Sequence, residues 1–127
     1  MFGEDDIDDI DLLREIFATI DNPYSLLFID KGRLLIDTLE SLQDHELPSL
    51  LVLDYNMPEL NGAEILTELK KQERFSQIPK VIWSTSGSDT YKKKCLELGA
   101  VDYLIKPVNV KDYKDAVHQM LSFCEGK

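Results

Sequence analysis

The apolar run Leu50-Leu51-Val52-Leu53 closes on Asp54 and opens into Tyr55-Asn56-Met57-Pro58, which places a carboxylate at the C-terminal lip of a buried strand. A charged group there is accessible to chemistry. Glu4 and Asp5 follow the first few residues in the same way, and Ser84 and Lys106 each follow a further apolar run. Short runs tipped with polar groups and separated by helix-like stretches predict a parallel sheet whose strand ends converge on one polar site.

The stretches between the runs carry helical spacing. Ile7, Ile10, Leu13, Phe17 and Ile20 form an amphipathic stripe that Asn22-Pro23 stops, with Asp8 and Asp9 in its first turn where the helix dipole favours anions. Residues 24–29 are a second strand. Leu34, Leu35, Thr38, Leu39 and Leu42 trace a second helix that ends before Pro48. The third helix spans Ala63 to Lys71 with Ile65, Leu66 and Leu69 inward, and Lys80 to Trp83 is the fourth strand. Tyr91, Cys95 and Leu98 mark a fourth helix closed by Gly99, Asp102 to Ile105 is the fifth strand, and Val110, Tyr113, Val117, Met120 and Leu121 stripe the last helix. No internal repeat is present. Alternation of this kind gives an α/β, doubly wound, five-stranded parallel sheet, because right-handed crossovers place helices on both faces. The strand order most compatible with this size is 2-1-3-4-5. Its reversal point falls beside the strands that end in Glu4-Asp5 and Asp54, with Ser84 and Lys106 arriving from the other side.

With 127 residues and 43% hydrophobic content, the chain is expected to be one domain over residues 1–127 that buries roughly two thirds of its unfolded surface. Its 24 acids against 14 bases give a formal charge of -10, which repels a phosphate backbone or an anionic membrane. Nucleic acid and membrane are therefore not expected partners; proteins, cations and small molecules are. Cys95 and Cys124 have neither C-x-x-C nor metal-ligand spacing and read as reduced, partly buried thiols. Without a signal peptide, a spanning apolar stretch or a low-complexity tail, the chain is expected to be cytoplasmic.

Glu4, Asp5 and Asp54 repel one another in a shared crevice: a pair about 5 Å apart costs on the order of 3 kcal/mol at an effective dielectric near 20. They need a cation. Carboxylates without accompanying His or Cys suit Mg2+ or Mn2+ better than zinc. Lys106 adds a positive charge and Ser84 a hydroxyl, both aimed at an oxygen-rich group beside Asp54. A divalent cation, a carboxylate nucleophile, a lysine and a hydroxyl together make a phosphoryl-transfer site.

The order Glu4-Asp5, Asp54, Met57-Pro58, Asn61-Gly62, Ser84, Gly99-Ala100, Tyr103 and Lys106-Pro107, with these spacings, resembles the receiver domains of two-component response regulators over nearly the whole chain. The resemblance implies a flavodoxin-like three-layer sandwich, bacterial two-component signalling, and an aspartyl phosphate formed on Asp54 from a sensor histidine kinase or phosphotransfer protein. It implies Mg2+ held by Asp5, Asp54 and the backbone carbonyl of Asn56, with Glu4 acting through a bound water. Lys106 would bind the phosphoryl group. Ser84 would swing toward it while Tyr103 rotates inward, remodelling a surface that engages an unknown downstream protein or a phosphorylation-dependent homodimer. Asn56 and Ser86 would tune hydrolysis, and the Lys106-Pro107 bond would be cis. Such a protein catalyses only its own phosphorylation and dephosphorylation. Thr85 and Ser86 also carry hydroxyls, but counting back from Gly99 and Lys106 favours Ser84. Only Met1-Phe2-Gly3 precede the acidic pair, so either the first strand is unusually short or the natural start lies upstream.

Several groups have plainer readings. Asp6, Asp8, Asp9 and Asp11 read as a solvated helix start, and Lys92-Lys93-Lys94 as a wet helix face that could also meet an acidic partner. Asp54-Tyr55-Asn56 opens like a calcium loop, but Pro58 and Glu59 stand where that loop needs a ligand and a glycine. His45 and His118 read as exposed, and Trp83 as an ordinary core or edge aromatic. Two rival functions remain: a haloacid-dehalogenase-like phosphatase, and a receiver-like scaffold that works without phosphorylation. The first lacks the second acid of its Asp-x-Asp pair, since Asn56 stands there; the second usually lacks an acceptor or metal acid, and none is missing here.

Overall fold

The computed structural model describes residues 1–20 and 24–124. Five parallel strands, β1 (Phe2–Gly3), β2 (Phe28–Ile29), β3 (Leu51–Asp54), β4 (Lys80–Ser84) and β5 (Asp102–Ile105), pair in the order β2-β1-β3-β4-β5. Between and after them run α1 (Ile7–Ala18), α2 (Gly32–Ser41), α3 (Gly62–Lys70), α4 (Asp89–Glu97) and α5 (Val110–Ser122). This is the expected doubly wound sheet. The reversal point lies at β1 and β3, where Gly3 pairs with Leu53 on one side and Ile29 on the other.

Strand alternation sorts the core into two layers. Leu51, Leu53 and Ile82 pack with α2, α3 and Cys95 of α4, whereas Phe2, Val52, Val81 and Trp83 pack with α1 and α5. Since Leu53 faces the first layer, the next side chain, Asp54, is directed to the second, across the ladder from Trp83. The site therefore opens on the side of α1 and α5.

The helices begin and end where local chemistry dictates. Asn61 caps α3 in a reciprocal pair: its side chain accepts the Glu64 N–H at 2.8 Å, and Glu64 accepts the Asn61 N–H at 2.9 Å. Gly99 sits at φ 107 just past α4, and the Ala100 N–H returns to the Cys95 carbonyl at 3.1 Å, closing the helix as the sequence suggests. Two helical stripes differ from expectation at one edge each. Ile7 is 73% exposed and Leu34 50% exposed, because Leu13, Ile16 and Phe17 in α1 and Leu35, Ile36 and Leu39 in α2 take the inward face. The second strand is also shorter than residues 24–29, since only Phe28 and Ile29 find a β1 partner. Asn22-Pro23, expected to stop α1, lies outside the described residues. His45 and His118 are exposed, Cys95 is buried, and the Cys124 thiol reaches the Leu121 carbonyl at 3.2 Å. An apolar cavity of about 500 Å³ lies at the N-terminal ends of the strands, beneath Met1 and Phe2 and opposite the carboxylates.

Gly32 starts α2 hard against the loop that follows Asp54. Its N–H bonds the Pro58 carbonyl at 3.0 Å, and a Cβ there would stand 2.6 Å from the Leu60 carbonyl oxygen and 2.7 Å from the Leu60 Cβ. Backbone must move to admit it. Gly32→Ala is expected to destabilise the fold by about 1–3 kcal/mol and to shift amide resonances across residues 55–62, read by urea denaturation and heteronuclear NMR. Parent-like values in both would show that the loop is not held by this contact.

Candidate functional site

The C-terminal ends of β1, β3 and β5 deliver Glu4, Asp54 and Lys106 to one point. The Lys106 ammonium donates to Glu4 Oε1 at 2.8 Å, to Asp54 Oδ2 at 3.0 Å and to Asp9 Oδ2 at 2.8 Å, so all its donors are engaged by carboxylates. It is held in place by its own backbone, whose N–H bonds the Ser84 carbonyl at 2.7 Å. Asp54 Oδ1 accepts the Asn56 N–H at 3.0 Å. Glu4 has no exposed surface and four protein donors: the N–H groups of Asp5 and Asp6 on Oε2, and the Trp83 indole N–H at 3.0 Å beside Lys106 on Oε1. Asp5 is exposed at the rim.

These surroundings displace several ionisations. Burial, reinforced by the neighbouring Asp54, pushes the Glu4 carboxyl up to about 7 against the opposing pull of Lys106. For Lys106, burial alone would lower the pKa, but the hydrogen bonds to Asp9 and Glu4 and the charges of Glu4 and Asp54 outweigh it and hold the ammonium above its ordinary range. Tyr113 is raised by burial and then by Asp9, whose Oδ1 accepts its hydroxyl at 2.6 Å.

The other residues expected at the site lie on β4, on β5 and in the loops after β3 and β4. Ser84 is buried at the end of β4, and its Oγ accepts the Ser86 N–H at 3.1 Å. Tyr103 lies inside, only 5% exposed, with its hydroxyl donating to the Ser86 carbonyl at 2.8 Å. Asn56 sits in the loop after Asp54 with its side chain exposed. One expectation fails: no peptide bond among the described residues is cis, so Lys106-Pro107 is trans, and the lysine reaches all three carboxylates in that form.

Three participants were missed by the sequence reading. Asp9 is not a solvated helix-start acid; it lies one turn before Leu13 on the buried face of α1 and turns in to Lys106. Trp83 is fully packed but also donates to Glu4, and Tyr113, on the buried stripe of α5, fixes Asp9. A polar or amphipathic residue in register with a buried stripe was the available signal. The solvated reading does hold for Asp6, Asp8 and Asp11, and Lys92, Lys93 and Lys94 are exposed on α4.

The donor set fits a hard divalent cation. Glu4, Asp5 and Asp54 each offer an oxygen within 4.8 Å of the others, with no nitrogen or sulfur ligand in the group. Such a cation would neutralise carboxylates that Lys106 alone cannot balance.

The sequence profile of the response regulator receiver domain matches residues 4–118. The chain belongs to that family. The two-component response regulator ORR5 of Oryza sativa subsp. japonica is 34% identical over 108 residues, covering 84% of this chain and 78% of the rice protein. In structure, the receiver is similar to the phosphorylated cyanobacterial phytochrome response regulator RcpA, with a TM-score of 0.86 at 26% identity over 96% of this chain and 89% of that one. The Mn2+-bound form of response regulator Rcp1 has a TM-score of 0.84 at 30% identity, covering 96% and 90%. Relatives thus include plant proteins, and the expected bacterial origin does not follow from the family. The receiver is a phosphorylation-dependent module of two-component signalling, a class that binds a divalent metal and works with histidine kinases or phosphotransfer proteins. Neither the phosphatase nor the scaffold reading is favoured. Among the described residues, no helix is long and apolar enough to cross a membrane.

The Glu4 displacement has a definite sign. Below the ordinary carboxyl pKa of 4.5 both folded and unfolded chains hold the proton; between 4.5 and about 7 the unfolded chain ionises first, so Glu4 lowers stability as pH rises. In chelator, the melting temperature of Glu4→Gln minus that of the parent should therefore grow across this window, by a few degrees for a chain of this size. A difference independent of pH would mean that Glu4 titrates normally in the fold.

Proposed function

We propose that Asp54 is the phosphoryl acceptor and that residues 1–127 act as one receiver unit. The observation that carries this reading is the Lys106 ammonium lodged between Glu4 and Asp54, with an Asp5 oxygen within 4.8 Å of an oxygen of each acid. An Asp54 carboxylate oxygen forms a bond to phosphorus while the P–N bond of a phosphohistidine, or the P–O bond of a small acyl phosphate, breaks and its electron pair leaves with the donor. Lys106 keeps its contacts to Glu4 and Asp9 and turns its third N–H from Asp54 to a phosphoryl oxygen, where it offsets the charge of the transferring group. Mg2+, with Mn2+ able to replace it, would be held by Asp5, Asp54 and the Asn56 carbonyl, with Glu4 acting through a water. When bound, the ion neutralises charge on the acceptor and on the phosphoryl oxygens.

The output reading rests on Ser84 and Tyr103. Both bond to Ser86, one through its N–H and the other through its carbonyl, so movement of Ser84 toward a phosphoryl oxygen would disturb the Tyr103 hydroxyl bond. Asn56 and Ser86 flank the acceptor and tune water access. Exposed Tyr91, Leu96, Val101 and Ile105 on α4, the turn after it and β5 supply apolar area for a downstream protein or a second copy. The reading makes the protein a cytoplasmic signalling module that catalyses only its own phosphorylation and dephosphorylation.

Acetyl phosphate with a divalent cation should add one phosphoryl mass to the parent and none to Asp54→Asn, while Lys106→Ala slows labelling; intact-mass spectrometry reads all three. Hydroxylamine-labile labelling retained in Asp54→Asn would sink the assignment.

Thermal melts across a Mg2+ titration at constant ionic strength test the metal site separately. Since the ion would bind the folded arrangement and not the unfolded chain, the parent's melting temperature should rise with Mg2+ and much less with Na+. Asp54→Ala should blunt the rise and melt higher than the parent in chelator, because one repelling carboxylate is gone. An equal rise in both proteins would separate Asp54 from the metal.

A further inference from the structure

Asp9 is a fourth carboxylate at the site, contributed by the first turn of α1 and not by a strand end. Each of its oxygens has one engaged partner. Oδ2 takes the Lys106 ammonium at 2.8 Å, and Oδ1 takes the Tyr113 hydroxyl of α5 at 2.6 Å. Tyr113 is itself fixed, 3% exposed and packed edge to face on Trp83 with ring centroids 5.0 Å apart. Trp83 in turn donates to Glu4, the other anchor of Lys106, and the ammonium stands 5.8 Å from its ring centroid. A closed circuit thus runs from Lys106 through Asp9, Tyr113, Trp83 and Glu4 back to Lys106.

We propose that Asp9, oriented by the Tyr113 hydroxyl, is a positioning residue for Lys106 in phosphoryl transfer. The ammonium has three N–H groups. Two anchored on Glu4 and Asp9 leave the third directed at Asp54, where the phosphoryl group would form; with Glu4 alone, the ammonium rotates among several orientations and must be ordered at each event. Asp9 reaches no phosphoryl oxygen itself in this scheme and acts only through Lys106. The inference rests on the assignment of Asp54 as acceptor, and its test separates the two.

Trp83 is the chain's sole tryptophan and touches this circuit, so its fluorescence follows beryllofluoride, a phosphoryl mimic, as it binds at saturating Mg2+. The variants are Asp9→Asn, Lys106→Met, their combination, and Tyr113→Phe with and without Asp9→Asn. Loss of one charge-assisted contact to Lys106 should weaken beryllofluoride binding on the order of tenfold in Asp9→Asn, and by less than about twofold once Lys106 is already Met. Tyr113→Phe should weaken it less, and add nothing in the Asp9→Asn background. Acetyl phosphate labelling rates should follow the same pattern. In metal-free protein labelled with 15N at lysine, a slowly exchanging Lys106 ammonium resonance should be present in the parent and broadened in Asp9→Asn.

A merely structural Asp9 would change the melting temperature while leaving the coupling to Lys106 at zero. Equal losses from Asp9→Asn with Lys106 and with Met, or unchanged binding in Asp9→Asn, would overturn the proposal while the parent still bound the mimic. A parent that neither binds beryllofluoride nor takes a phosphoryl group would overturn the acceptor assignment, and the positioning role with it. An ammonium resonance unaltered in Asp9→Asn would exclude the contact directly.

Discussion

One ammonium among carboxylates governs this structure. Lys106 bridges acids from the end of β1, the end of β3 and the first turn of α1, and among the described residues it is the one cation with ion pairs inside the cluster. Removing Lys106 would leave buried carboxylates without compensation, typically at a cost of about 3–5 kcal/mol. The sheet order serves this pairing. Only an arrangement with β1 and β3 adjacent, and β5 within a lysine's reach, brings these charges together.

That requirement also accounts for the division of the core. Aliphatic side chains predominate on the α2, α3 and α4 side of the sheet, with Tyr55, Phe75 and Tyr103 among them, whereas the α1 and α5 side carries Trp83 and Tyr113, each combining a large apolar body with one donor. Their donors reach Glu4 and Asp9, the two acids that flank the Lys106 ammonium opposite Asp54. Aromatic groups with a polar tip can fill a layer and satisfy a buried carboxylate at once. Leucine or phenylalanine in their place would remove these donors and, at Trp83, leave a cavity as well.

The fold was legible because its signals are local and redundant. Asp54 after four apolar residues and Gly99 at a helix end are local signals of this kind, and the structure bears both out. What could not be read were contacts that depend on how an element turns. Ile7 and Leu34 lie outside the buried stripes while Ile16 and Ile36 lie inside them, and the face of α1 that carries Leu13 and Ile16 also brings Asp9 into the cluster. An acidic chain offers many Asp residues near helix starts, where the dipole alone justifies them. Only the facing helix, through Tyr113, distinguishes Asp9 from Asp8.

Glu4 makes the cluster asymmetric. A carboxylate with four protein donors and no exposed surface is poorly placed to give an oxygen directly to an ion, while Asp5 at the rim and Asp54 beside it each retain a lone pair free of strong donors. Glu4 therefore serves best as the buried anchor against which Lys106 is set, with any cation drawn to the Asp5 and Asp54 side. The upward displacement of its ionisation follows mainly from that burial. Trp83 limits the cost by donating to the charged form, and a site of opposite charges in a low-dielectric wall is then preorganised before any anion arrives.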